Sequence, residues 1–174
     1  MRIEETVEVD APTARVWKVI EDPAALTGLD DGLSVEADPE TPNGGLHARY
    51  RVLVHVGPVP VAAQVEIVEL IKGRELAWTS LTGIDQRFRF RLRELDGSRT
   101  RLVLRFGYGS PGPLGILADL ASYGRVRATL RRLLVAVKSE AERPPRRPRK
   151  SAGRGKGTAQ RKAKATRSAR RSGA

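Results

Sequence analysis

The chain has 174 residues, a formal net charge of +12 and no cysteine, which excludes disulfides and thiolate metal sites. Residues 143–174 hold 13 of the 32 Lys and Arg and no acidic residue, so 1–142 carries 19 basic against 20 acidic side chains. A near-neutral body of ordinary single-domain length is therefore followed by a basic tail, and the pI near 10.9 describes that tail. The opening MRIEETVEVD has no apolar core of a signal peptide, and the longest apolar stretch, VGPVPVAAQVEIVELI, is broken by Gly, Pro, Gln and Glu. Neither export nor a membrane span is expected, and the absence of cysteine suits a cytoplasmic location.

In chain order, RIEETVEVD alternates Ile3, Val7 and Val9 with polar neighbours and reads as a strand. APTARVWKVIEDP follows as a short helix with Pro12 in its first turn, stopped by Asp22-Pro23, and a second helical turn is expected over 24–29. LSVEAD is a weak strand and PETPNGG is turn chemistry. In LHARYRVLVHV, Leu46, Ala48, Tyr50, Val52, Val54 and Val56 share one face. After GPVP, Val61, Ala63, Val65 and Ile67 point inward, with Glu69 sharing their parity. ELAWTS makes the next strand. DQRFRFRLREL sets Gln86, Phe88, Phe90 and Leu92 against four arginines, and after the DGS turn Leu102, Leu104 and Phe106 return inward.

Beyond GSPGP the period changes. Ile116, Leu120, Tyr123, Arg127, Leu130, Leu134, Val137 and Ala141 form one stripe of a helix of about seven turns, ended by Pro144-Pro145. The tail has no apolar period and is expected to be disordered. The order predicts an α+β fold: a curved antiparallel sheet of six or seven strands around a long C-terminal helix, with two short helices after the first strand.

VEVDAPTARVWKVIEDP, ELAWTSLTGIDQRFRFRLRELDGSRTRLVLRF and LRRLLVAVKSEAE resemble the polyketide cyclase/dehydrase and lipid-transport superfamily of START-like, helix-grip proteins. The resemblance covers nearly all of 1–142. It implies a cavity for a hydrophobic ligand, a lipid, polyketide or similar, between sheet and helix. It does not imply a reaction, since the superfamily mixes carriers, cyclases, hydratases and regulators. A carrier is the favoured expectation and a cyclase/dehydrase-like enzyme the alternative, with no cofactor.

Arg127 is the most informative residue, because an unpaired guanidinium in an apolar stripe costs several kcal/mol by order of magnitude. It calls for an acidic partner, water, or a ligand's polar end held together with Tyr123. The alternatives are an edge position or a pair with Glu69. Tyr50, Trp78, Gln86, Phe88 and Phe90 have inward parity, as pocket lining or as core. Gln86 needs partners in either case. His47 and His55, eight residues apart on one strand, lie about 27 Å apart. No metal site is expected, and no nucleophile or phosphate-loop motif is present.

Arg49, Arg51, Arg87, Arg89, Arg91, Arg93, Arg99, Arg101 and Arg105 have outward parity, as do Glu8 and Glu66. They make either a basic binding stripe or cross-strand ion pairs. In the tail, Arg146, Arg147, Arg149, Lys150, Arg161, Lys162, Lys164, Arg170 and Arg171 are candidates for non-specific contact with nucleic acid or an anionic membrane surface. No aromatic residue stands among them for base stacking.

Overall fold

The fold is taken from a computed structural model that describes residues 1–41, 44–56, 58–109 and 112–144, and of 56 and 112–121 the backbone alone. The tail residues named above, and the side chains of Ile116 and Leu120, lie outside the described residues. The elements are β1 (Arg2–Val9), α1 (Thr13–Ile20), a 3-10 turn (Pro23–Leu26), β2 (Leu33–Ala37), β3 (Arg49–Val56), β4 (Val59–Ile71), β5 (Glu75–Gly83), β6 (Asp85–Glu94), β7 (Thr100–Gly109) and α2 (Gly112–Glu142). One antiparallel sheet takes the order β1-β7-β6-β5-β4-β3-β2, so β1 crosses over to pair with β7 and every other neighbour follows in sequence.

Local chemistry explains the first elements. Pro12 itself takes the cap position of α1, with extended backbone, and its carbonyl accepts from the Arg15 N–H. The Asp22 side chain accepts from the Ala24 N–H at 3.0 Å and starts the 3-10 turn, with Pro23 in its first position. That second helix is a single turn ending at Leu26, shorter than expected, because Thr27 leaves the helical region and exchanges hydrogen bonds with Val35 of β2.

The strands alternate as their sequences require, with two informative exceptions. β3 begins at Arg49, not Leu46: Leu46 is exposed in a turn, and His47 takes a left-handed φ of 67°. In β4 the register slips between Ile67 and Glu69, so Val68 is an extra residue opposite β5. That bulge reverses the parity of the residues after it. Leu70 turns toward the core and Glu69 moves to the outer face beside Arg87 and Arg89. A second slip, between Gln64 and Val65, makes Leu81 of β5 an extra residue and leaves it exposed.

Layers of cross-strand partners fill the concave face. Ile67, Trp78, Phe88, Phe106 and Ile3 are partners in turn across β4, β5, β6, β7 and β1. The next layer is Leu70, Leu76, Phe90, Leu104 and, at the β1 edge, Glu5. Each large apolar side chain so buried contributes about 1.5–3 kcal/mol. The helix α2 packs over β1, β7 and α1 through Val126, Leu130, Leu133, Leu134, Val137 and Ala141, all buried. Its buried stripe is thus rotated toward Val126 and Leu133 from the one the spacing predicts. Arg127 falls on the margin of that stripe, not at its centre.

Candidate functional site

The rows of partners place four aromatic rings side by side on the concave face. Trp78 and Phe88 stack in parallel, with centroids 4.2 Å apart and planes within 1°. Phe88 meets Phe106 edge-on at 6.1 Å, and Phe106 stacks on Tyr108 at 5.5 Å. Such pairs contribute about 0.5–1.5 kcal/mol each beyond their burial. Gln86 lies across from Tyr108 in the ladder, at the end of the row, where its own backbone is fixed by the hydroxyls of Thr79 and Ser80. From α2, Tyr123 packs half-buried against the same core. Trp78, Phe88 and Gln86 therefore come together as expected from parity, joined by Phe106 and Tyr108. Tyr108 was legible as the next inward residue after Phe106.

Tyr50 belongs to the opposite end of the sheet. Its ring is 1% exposed, and its hydroxyl donates to Asp22 Oδ1 at 3.5 Å. Burial first, then the Asp22 charge, pushes the phenol above its ordinary value and keeps it protonated. Beside it a cleft of about 580 Å³ opens between α1, the 3-10 turn, the loop at Gly44 and Gly45, and the β4–β5 turn. Trp17, Leu70, Glu21, Asp22 and Lys72 are among its walls.

Arg127 has an acidic partner, and it is Glu5 rather than Glu69. Arg127 Nε donates to Glu5 Oε1, and Arg131 Nε donates to Glu5 Oε2 at 2.9 Å. The Glu5 side chain is 9% exposed while that of Arg127 is 43% exposed, so the carboxylate is the buried member. Burial alone raises the Glu5 carboxyl, but hydrogen bonds and charge from the two arginines outweigh it and hold the group below its ordinary range. The guanidinium thus docks α2 on β1, at the edge of the sheet. Glu5 shares parity with Ile3 and Val7, so the sequence already showed a second inward charge of the right sign.

On the outer face, Arg49 pairs with Glu66, Arg51 with Glu36, Arg87 and Arg89 with Glu69, Arg89 and Arg91 with Glu75, Arg101 with Glu8 and Arg105 with Glu4. Arg99 pairs with Asp96 in its own turn, which lowers that carboxyl to about 2. Apart from Arg93, which forms no ion pair among the described residues, and Arg99, the stripe is therefore a ladder of cross-strand ion pairs. His47 also joins Glu66, at 2.9 Å. Among the described residues no group of three or more His, Cys, Asp or Glu is arranged to hold a metal, and no helix is long and apolar enough to cross a membrane.

A curled antiparallel sheet closing on one long terminal helix, with aromatic side chains along its concave face, defines a helix-grip protein of the START-like class. Solved structures are similar to it throughout the body. A protein from Thermus thermophilus is 18% identical with a TM-score of 0.70, over 81% of this chain and 97% of that one. The Zhui aromatase/cyclase from a Streptomyces species is 27% identical with a TM-score of 0.64, over 82% and 94%. A START superfamily protein from Mycobacterium smegmatis is 16% identical with a TM-score of 0.65, over 81% and 97%. The chain belongs to the polyketide cyclase/dehydrase and lipid transport family, whose model matches residues 1–142. None of the curated proteins matches it.

Proposed function

We propose that the chain binds a small, flat apolar molecule of polyketide or lipid type between the concave face and α2, and carries it rather than transforms it. The observation that supports this is the row Trp78–Phe88–Phe106–Tyr108, bounded by Gln86, with Tyr123 of α2 packed half-buried against the same core. Flat rings stack on flat ligands, and one amide with two phenols suffices to orient a carbonyl or hydroxyl. The carrier reading draws on what those groups lack. The layers described on the concave face contain no histidine, and their carboxylate, Glu5, is neutralised by two arginines. A poised acid–base pair is therefore missing among these residues.

The test is a titration of the full chain with 2-naphthol as a flat bicyclic probe, followed by tryptophan emission. Saturable binding is expected. Phe88→Leu and Tyr123→Ala should each weaken it at least tenfold while thermal unfolding remains cooperative. Affinity unchanged in both folded variants would overturn the assignment.

A second reading rests on the tail, where 13 cations and no carboxylate are concentrated in 143–174. That composition supports weak, salt-sensitive and sequence-independent attachment to a polyanion, either nucleic acid or an anionic membrane. It would determine where the body acts and is compatible with ligand carriage.

A further inference from the structure

The cleft at the α1 end of the sheet is distinct from the aromatic row in both position and chemistry. One wall is negative: Glu21 stands at the C-cap of α1, Asp22 follows it, and the C-terminal end of a helix adds partial negative charge of its own. Another wall carries Lys72, on the turn between β4 and β5. Between them lie the apolar surfaces of Trp17 and Leu70, the latter directed inward by the Val68 bulge.

Several glutamates of the sheet are satisfied by ion pairs: Glu5, Glu66, Glu69 and Glu75 each meet two basic side chains. Glu21, Asp22 and Lys72 face one open space and form no ion pair among the described residues. The two signs flank the cleft without closing it.

Asp22 is held in place from behind, where the buried Tyr50 hydroxyl donates to its Oδ1 at 3.5 Å. Gly44 and Gly45 hold φ values of 75° and 91°, and nothing lies within 4 Å of where a Cβ would stand on either. The main chain there is open toward the cleft, in a conformation only glycine adopts at low cost.

We propose that this cleft is a second binding site, for a small zwitterion with an apolar side chain. The ammonium group sits against Glu21 and Asp22, the carboxylate against Lys72, and the apolar body on Trp17 and Leu70. A volume of about 580 Å³ accommodates a molecule of amino-acid or dipeptide size. Each charge meets its complement only if both are present on the ligand, which excludes simple fatty acids and simple amines.

Isothermal titration of the full chain with L-leucine, leucinamide and N-acetylleucine tests this directly. Leucine should bind saturably in the micromolar to millimolar range, and each analogue, lacking one charge, at least tenfold more weakly. Lys72→Met and Glu21→Gln lie on exposed positions and should each lower leucine affinity about tenfold without changing 2-naphthol binding. Absence of leucine binding, equal binding of all three probes, or an affinity indifferent to both substitutions would overturn the proposal. Because 2-naphthol reads the other site, failure here leaves the carrier reading to its own test.

Discussion

Glu5 and Arg127 each break the apolar pattern of the element that carries them, and the structure joins the two exceptions. The pair is asymmetric, since a buried carboxylate meets two guanidinium groups that stay partly in water. Losing the carboxylate therefore costs more than losing either arginine. Glu5→Gln is expected to destabilise the body by about 1–3 kcal/mol at pH 7. Arg127→Ala should cost about 1 kcal/mol or less, because Arg131 remains and the lost contact is half-exposed. Urea unfolding of the three proteins measures the order. pH supplies a second check, with its sign fixed by the lowered Glu5 carboxyl. A carboxyl depressed in the fold contributes fully above the ordinary glutamate range, and the contribution is lost as pH falls through the folded value. The gap between wild type and Glu5→Gln should thus narrow in acid, and a gap constant into strong acid would contradict the assignment.

At the scale of elements, the helix α2 allows two readings of its own face. Spacings of four and three lead through Tyr123, Arg127, Leu130, Leu134 and Val137; of these the last three are buried, and the buried surface takes in Val126 and Leu133 in addition. The measurement that separates them is Leu133→Ala, expected to cost about 2–5 kcal/mol as a cavity beneath the helix. Val135→Ala, at a position 61% exposed, should fall within about 0.5 kcal/mol of wild type. Alternation in β6 and β7 made the sheet and its inward aromatic residues legible from sequence, because a period of two leaves one choice of face. The helix face was less legible, since 3.6 residues per turn let neighbouring stripes share Leu130 and Val137. The bulge at Val68 was not legible at all. Parity counted through Glu69 put that carboxylate inside, where it would have been the natural partner of Arg127. One extra residue moved it to the outer ladder and directed Leu70 into the cleft instead. The cleft itself needs three separate stretches of chain, 17–24, 37–45 and 70–72, and no local pattern announces such a meeting.

For the molecule as a whole, charge divides into two regimes that a single net value conceals. Arginines are abundant on the outer face of the sheet, yet glutamates on neighbouring strands neutralise most of them. A polyanion approaching that face would have to displace bound carboxylates, which removes most of the gain from releasing its counterions. The tail holds the excess instead, with 13 cations and no acid within 32 residues. Residues 1–144 form a compact unit, so removing the rest leaves a testable body. Full-length protein should bind duplex DNA or anionic vesicles in low salt. On DNA, log K should fall linearly with log salt, with a slope of about −0.9 per phosphate engaged. The truncated body should lose that binding while keeping its affinity for 2-naphthol. Equal polyanion binding by both proteins would transfer the activity to the arginine ladder, and would mean that its ion pairs open more readily than their geometry implies. Loss of 2-naphthol binding on truncation would show instead that the tail takes part in ligand capture, and that attachment and carriage are one function rather than two.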